Sequence, residues 1–300
     1  MSPGTRIATL FVGTAILSLD AQIRFEEIAL QFELRNSSAG RFHQVELMTG
    51  GVAAFDYNND GCTDIYFANG AALPSLEKTD PSFHNRLYRN NHDETFDDVT
   101  YSSGLGNKAI LLSGVSMKFL DYDNDGWNDI VQSNGAMLDN IHIYHSEVSY
   151  AEPKLMFRNL GKGKFDKVSD QLGPDFMRPT VGRGLAVGDL DNDGDLDVAV
   201  LNRGDYPQVL RNDGGNANNY LTVRLVGTKS ARDGTGAVLK LTSEGRTQIE
   251  QAKGGMSYMS AHDLRIHFGL GPRKTIESLE ITWLSGTVDK LTNVPINQII

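Results

Sequence analysis

Hydrophobic and polar positions alternate in short runs along most of this chain, a period of two that predicts half-buried strands rather than helices. The runs recur in order. Segments 51–55, 114–119 and 184–188 open on glycine and apolar residues, and each leads into a polar loop. Segments 65–68, 130–133 and 198–201 follow those loops and read as second strands. A third run ends on Arg-Asn at 85–90, 154–159 and 208–212. A fourth sets Phe and an acidic residue ahead of Ile or Val, at 95–100, 164–169 and also at 23–29. The polar loops start at 56, 121 and 189, so the unit spans 65 and then 68 residues. Four strands per unit is the content of a propeller blade. The expected fold is all-β: about three blades over 22–216, then a small β domain over 217–300. In that last part, 220–226, 237–241, 247–251, 264–268 and 279–283 read as strands. Segments 71–81 and 134–152 read as irregular insertions on one face.

The loops carry the candidate chemistry. The third holds Asp189, Asp191, Asp193, Asp195 and Asp197. The second holds Asp121, Asp123, Asp125, Trp127 and Asp129, and the first Asp56, Asn58, Asp60, Cys62 and Asp64. Positions 1, 3, 5 and 9 always carry a side-chain oxygen, and position 6 is always Gly. Alternate oxygens can surround one point, and oxygen-only donors suit a hard cation such as Ca²⁺. Glycine permits the turn that returns position 9 to the ion. Position 7 is expected to offer only its backbone carbonyl. Three such loops predict three Ca²⁺ sites, the third tightest and the first weakest, because Asn58 lacks the charge of Asp191. Plain polar turns are the bland alternative, and the repetition argues against it. An EF-hand needs Glu at position 12, where Phe67, Gln132 and Val200 stand instead.

Net charge is −10, and three Ca²⁺ ions would bring it to −4. The acidity therefore belongs largely to the loops. The 28 Lys and Arg residues are scattered, with no stripe for nucleic acid. Residues 1–21 read as a secretion signal whose apolar run is too short to span a membrane, so the mature chain is expected to have no membrane span. One cysteine leaves no intramolecular disulfide. The expected location is secreted, periplasmic or cell-surface, where millimolar calcium suits oxygen-only sites.

The repeats resemble FG-GAP/VCBS blades, the calcium-loop units of β-propellers. Residues 225–230, 232–237, 254–258, 267–271 and 283–286 resemble an ASPIC/UnbV domain. Together these are similar to the cartilage-acidic-protein-like family, which implies calcium binding, an extracellular location and no assigned reaction. The chain departs from that pattern at Asn58, Ala231 and Leu284, and in having fewer repeats.

No catalytic set stands out. His142 and His145 form a close pair on an insertion, Ser257 lacks a hydrolase elbow, and Arg203-Gly204-Asp205 matches an integrin-recognition tripeptide at a turn. Arg89, Arg158 and Arg211 are expected to pair with neighbouring blades, and Phe25, Phe96 and Phe165 to pack between them. The reading is a calcium-stabilised, non-enzymatic binding or adhesion module with a protein or glycan ligand. The alternative is an extracellular enzyme or accessory subunit acting on a carbohydrate or small molecule. Residues 23–29 are expected to complete the third blade beside 208–212. A blade left open would present an edge for self-association.

Overall fold

The computed structural model describes residues 51–300 apart from 59, 69–79, 94, 107–111, 113, 145, 147 and 254. All of them lie in one compact unit, Gln31–Ile300. The signal, Phe25 and the docking of 23–29 on the third blade lie outside the described residues.

Each repeat folds as an antiparallel sheet whose strands neighbour in sequence order. The first contains β1 (Gly51–Phe55), β2 (Asp64–Ala68), β3 (Arg86–Asn90) and β4 (Phe96–Asp98). The second contains β5 (Gly114–Leu120), β6 (Asp129–Asn134), β7 (Leu155–Asn159) and β8 (Phe165–Lys167). The third has β9 (Gly182–Gly188), β10 (Asp197–Asn202) and β11 (Gln208–Leu210), with β11 at its edge among the described residues. The 134–152 insertion holds a one-turn helix, α1 (Ile141–Tyr144), and its own small core of Ala136, Ile141 and Val148.

Alternation puts one apolar face of each blade against the next. Leu87, Ile130, Leu155, Phe157 and Phe165 fill the space between the first and second blades. Phe165 stacks on Tyr57, 6.2 Å between ring centroids, so this phenylalanine packs between blades as expected. Val131, Met156, Leu185, Val187, Val198 and Val200 do the same between the second and third.

The terminal domain has its own core around Leu221, Leu239, Phe268 and Leu279. Strand β12 (Asn219–Val223) pairs with β15 (Ile266–Gly271). A four-stranded sheet runs β14 (Arg246–Gln251), β13 (Val238–Ser243), β16 (Ile276–Thr282), β17 (Val288–Val294). Sequence pattern missed β17, because its residues are largely charged or polar and six of its seven are exposed. The last residues lie along the other side of β12, where Ile300 N–H donates to the Thr222 carbonyl at 2.9 Å. No sheet among the described residues closes into a barrel.

The terminal domain also covers blade edges. β5 and β9 are each the outermost strand of their sheet. Their free N–H groups donate to side chains of the segment 257–262: Met117 to Ser257 Oγ at 2.9 Å, Leu185 to Ser260 Oγ at 2.9 Å, and Val187 to His262 Nδ1 at 3.1 Å. Ser257 is thus an edge cap. Open strand edges invite unwanted pairing, and these side chains occupy them.

The His262 contact fixes the neutral ring. Nδ1 accepts from Val187, and Nε2–H donates to the Met256 carbonyl at 3.1 Å. Burial, with the Lys118 charge adding to it, pushes the imidazole down to about 4. The unfolded chain binds this proton first. Stability from this ring is therefore complete above about pH 6.5 and is lost as pH falls towards about 4. A denaturant titration at pH 7.5 and pH 5 should show a loss on the order of 1 kcal/mol from this group. His262→Gln should flatten the slope, and an unchanged slope would refute the assignment.

Candidate metal centres

Each polar loop joins the first two strands of a blade, and position 9 is the first residue of the second strand. The glycines at position 6 adopt φ of +90°, +91° and +97°, a region that side chains with a Cβ rarely enter. With the chain turned there, the first aspartate accepts two backbone N–H bonds. In the second loop Asp121 takes those of Asp125 (3.0 Å) and Gly126 (2.7 Å). In the third Asp189 takes those of Asp193 and Gly194, both 3.2 Å. In the first Asp56 takes those of Asp60 and Gly61, at 3.1 and 2.7 Å.

Position 9 is a clamp. Its two oxygens accept the N–H of position 2 and the N–H of the asparagine that ends the third run. The pairs are Tyr57 and Asn90 on Asp64, Tyr122 and Asn159 on Asp129, and Leu190 and Asn212 on Asp197, all between 2.7 and 3.2 Å. Two of these asparagines tie blade to blade. Asn159 Nδ2 donates to the Tyr57 carbonyl at 3.0 Å, and Asn212 Nδ2 to the Tyr122 carbonyl at 2.7 Å.

Among the described residues the recurring arginines pair within their own repeats and do not bridge blades. Arg89 pairs with Asp97 on the adjacent strand at 2.6 Å, Arg158 with Asp123 of its own loop at 2.7 Å, and Arg211 with Asp213 at 2.7 Å. The blade-crossing residue is the asparagine one position later. Arginine finds a carboxylate within its own repeat first, because cross-strand registers such as Arg89 with Asp97 put one beside it.

In the second and third loops, carboxylates at positions 1, 3 and 9 converge: Asp121, Asp123 and Asp129, and Asp189, Asp191 and Asp197. Donor atoms within each group lie within 4.8 Å of one another. Asp121 and Asp129 are buried. Burial first, then neighbouring carboxylates, pushes both far above the usual carboxylate range. Burial also raises Asp123 and Asp189. Asp123 Oδ1 and Asp195 Oδ1 are buried with no hydrogen-bond partner. Buried acceptors without partners cost free energy, and a divalent cation reverses both that cost and the mutual repulsion. The donor chemistry fits an oxygen-coordinated ion.

At position 7 the side chains have work of their own. The Trp127 ring takes the Arg246 guanidinium at 3.9 Å from its centroid, and the Asp195 carboxylate accepts the Asn216 N–H at 3.3 Å. Both loops are wedged against the terminal domain. His267 Nε2 contacts Asn124 Oδ1 at 2.6 Å, and Gly271 N–H donates to the Asn124 carbonyl at 2.7 Å. Arg265 reaches Asn192 Oδ1 at 2.6 Å, and Asn124 Nδ2 ties the two loops through the Gly194 carbonyl at 2.8 Å. A Cβ on Gly194 would stand 2.0 Å from the Tyr220 ring.

The first loop differs. Asp60 is exposed and Cys62 half-buried. Asn58 turns in on Asp60, its Nδ2 donating to Asp60 Oδ2 at 2.7 Å. The converging group here is Asp60, Cys62 and His92. Of the other candidates, His142 is exposed and His145 lies outside the described residues. In the Arg203-Gly204-Asp205 turn, the Asp205 carboxylate is held by Arg178 at 2.9 Å.

Comparison with known proteins places these elements. The FG-GAP-like repeat model matches residues 56–132 and 148–200, and the ASPIC and UnbV model matches 227–300. Cartilage acidic protein 1 of Xenopus tropicalis is 25% identical, covering 89% of this chain and 45% of its own length. The Mus musculus and Homo sapiens proteins are 26% and 27% identical, each covering 79% of this chain. The chain spans less than half the length of these curated relatives. A solved structure titled for N-acetylglucosamine recognition by an Agrocybe aegerita protein aligns at 16% identity over 82% of this chain and 66% of its own. Its TM-score against this chain is 0.28.

Proposed function

We propose, for a chain that carries FG-GAP-like repeats and an ASPIC and UnbV domain, that it is an exported, calcium-loaded binding module. Calcium acts in it as a structural joint and not as the contact to the ligand. The observation that carries this is the convergence of buried aspartates at positions 1, 3 and 9 of the second and third loops, against the terminal domain. Asp121, Asp123 and Asp129 would hold one ion, and Asp189, Asp191 and Asp197 another. Bound Ca²⁺ supplies charge neutralisation that fixes the loop. Asp56, Asn58, Asp60 and Asp64 form the third and weakest site. No described helix is long and apolar enough to cross a membrane.

The ligand is an extracellular protein or glycan, met by the 134–152 insertion or by the terminal domain. The insertion carries Ile143 well exposed on its own small core. Self-association through the β11 edge belongs to the same proposal.

Asp191 separates the ion from the fold. It is exposed, unlike Asp189 and Asp197 beside it. Asp191→Ala should therefore lower stability in calcium by about 1–3 kcal/mol and leave it unchanged in excess chelator. Calorimetry should show weakened Ca²⁺ binding at one site. Absence of any calcium heat in the wild type would overturn the reading. A glycan array and immobilised matrix proteins, probed with the full chain in calcium, test the ligand class. If Asp191→Ala lost an identified ligand while keeping its stability, the loops themselves would be the contact.

A further inference from the structure

Three residues that set the first repeat apart from the other two all contact Asp60. Position 3 is Asn58, where the sister loops have Asp123 and Asp191. Position 7 is Cys62, where they have Trp127 and Asp195. The third place lies two residues beyond the blade asparagine. Gly161 stands there in the second blade at φ +73°, its N–H donating to Asn159 Oδ1 at 3.0 Å. The first blade makes the same turn, with an N–H bond to Asn90 Oδ1 at 3.0 Å, but places His92 there at φ +66°. A left-handed turn that costs glycine little is thus occupied by an imidazole. That ring lies between the Cys62 thiol and the Asp60 carboxylate. Cys62 Sγ is 2.8 Å from His92 Nδ1, and His92 Nε2 is 3.2 Å from Asp60 Oδ2.

We propose that Asp60, Cys62 and His92 form a site for a borderline divalent cation of the Zn²⁺ class. Removing a carboxylate at position 3 weakens the loop for hard ions, while thiolate and imidazole are the donors that zinc prefers. A tetrahedral ion holding sulfur at about 2.3 Å and nitrogen at about 2.0 Å keeps those donors roughly 3.5 Å apart. One ring nitrogen, the thiol and one carboxylate oxygen already lie within 4.8 Å of one another, and an ion takes that one nitrogen of the ring. The Cys62 N–H donates to Asp60 Oδ1 at 2.9 Å, while Oδ2 faces the ring and accepts from Asn58 Nδ2. Three protein ligands leave a fourth position for water. The ion would compete with Ca²⁺ for Asp60, and its binding does not depend on calcium at the second and third loops.

Cobalt(II) titrated into the full chain, in calcium only sufficient to fill the second and third loops, is the test. The expected result is one equivalent bound with a thiolate-to-cobalt charge-transfer band, displaced by Zn²⁺. Cys62 is the chain's one cysteine, so the band can come from no other sulfur. Cys62→Ser should abolish it, and His92→Gln should weaken Co²⁺ binding by at least about tenfold. The absence of a thiolate band in the wild type would overturn the proposal. So would an affinity unchanged in His92→Gln. The wild-type spectrum decides even if a variant fails to fold.

Discussion

Excess chelator added to the protein in millimolar calcium is expected to lower its melting temperature by about 10–20 °C. An ion bound only by the folded state adds about 2.7 kcal/mol at a hundred times its Kd. Two such ions, at the second and third loops, add about 5 kcal/mol, and each kcal/mol moves the midpoint by about 2–4 °C for a protein of this size. The effect should be cooperative, because Asn124 joins the two loops and both touch the terminal domain. Without the ion, Asp121 and Asp129 are carboxyl groups in buried positions beside one another, whose ionisation burial and repulsion both oppose. Loss of calcium should therefore loosen the blade-to-domain joint, and hydrogen exchange should rise at 257–262 as well as in the loops. Scanning calorimetry in calcium and in chelator measures the shift. A melt indifferent to chelation would remove calcium from the account.

Asp129→Ala should cost about 2–5 kcal/mol even in chelator, a loss separate from any ion. Asp129 is fully buried, and its oxygens accept the Tyr122 N–H at 3.2 Å and the Asn159 N–H at 2.7 Å. Truncation leaves two donors without that partner, at about 1–3 kcal/mol for each that stays unsatisfied. The clamp does not need the charge, since a protonated carboxyl keeps acceptor capacity on its oxygens. It also holds Asn159, whose side chain crosses to the Tyr57 carbonyl, so the damage should spread to the first blade. Asp129→Asn retains one carbonyl oxygen and should lose less. Urea unfolding of both variants in chelator checks the ranking. Asp129→Ala with wild-type stability there would show that position 9 matters only as a ligand. The comparison with Asp191→Ala is the informative one: the same chemical deletion, at an exposed and a buried position, should separate ion binding from backbone support.

The repeat was legible in the chain because its determinants are local. Alternation in 114–119 and 130–133 specifies β5 and β6 wherever they lie, and a glycine at φ near +90° makes the loop between them whatever surrounds it. The strands, the loop residues and the donor type therefore followed from spacing alone. Partner choice did not. Arg158 and Asn159 recur together, and nothing in one dimension says which of them crosses to the next blade. Cross-strand register gave the arginine a carboxylate at home and left the asparagine to cross. β17 escaped detection because six of its seven residues are exposed, so burial left no period in the sequence. The position of the terminal domain was equally hidden. Ser257, Ser260 and His262 cap backbone groups on β5 and β9 that lie more than 70 residues away, and only the folded chain brings a hydroxyl to an unpaired N–H at that separation. His92 and Cys62 are 30 residues apart and carry no shared motif. The pairing of β2 with β3 places them together, which is why the chemistry of the first loop belongs to the tertiary structure and not to the repeat that encodes it.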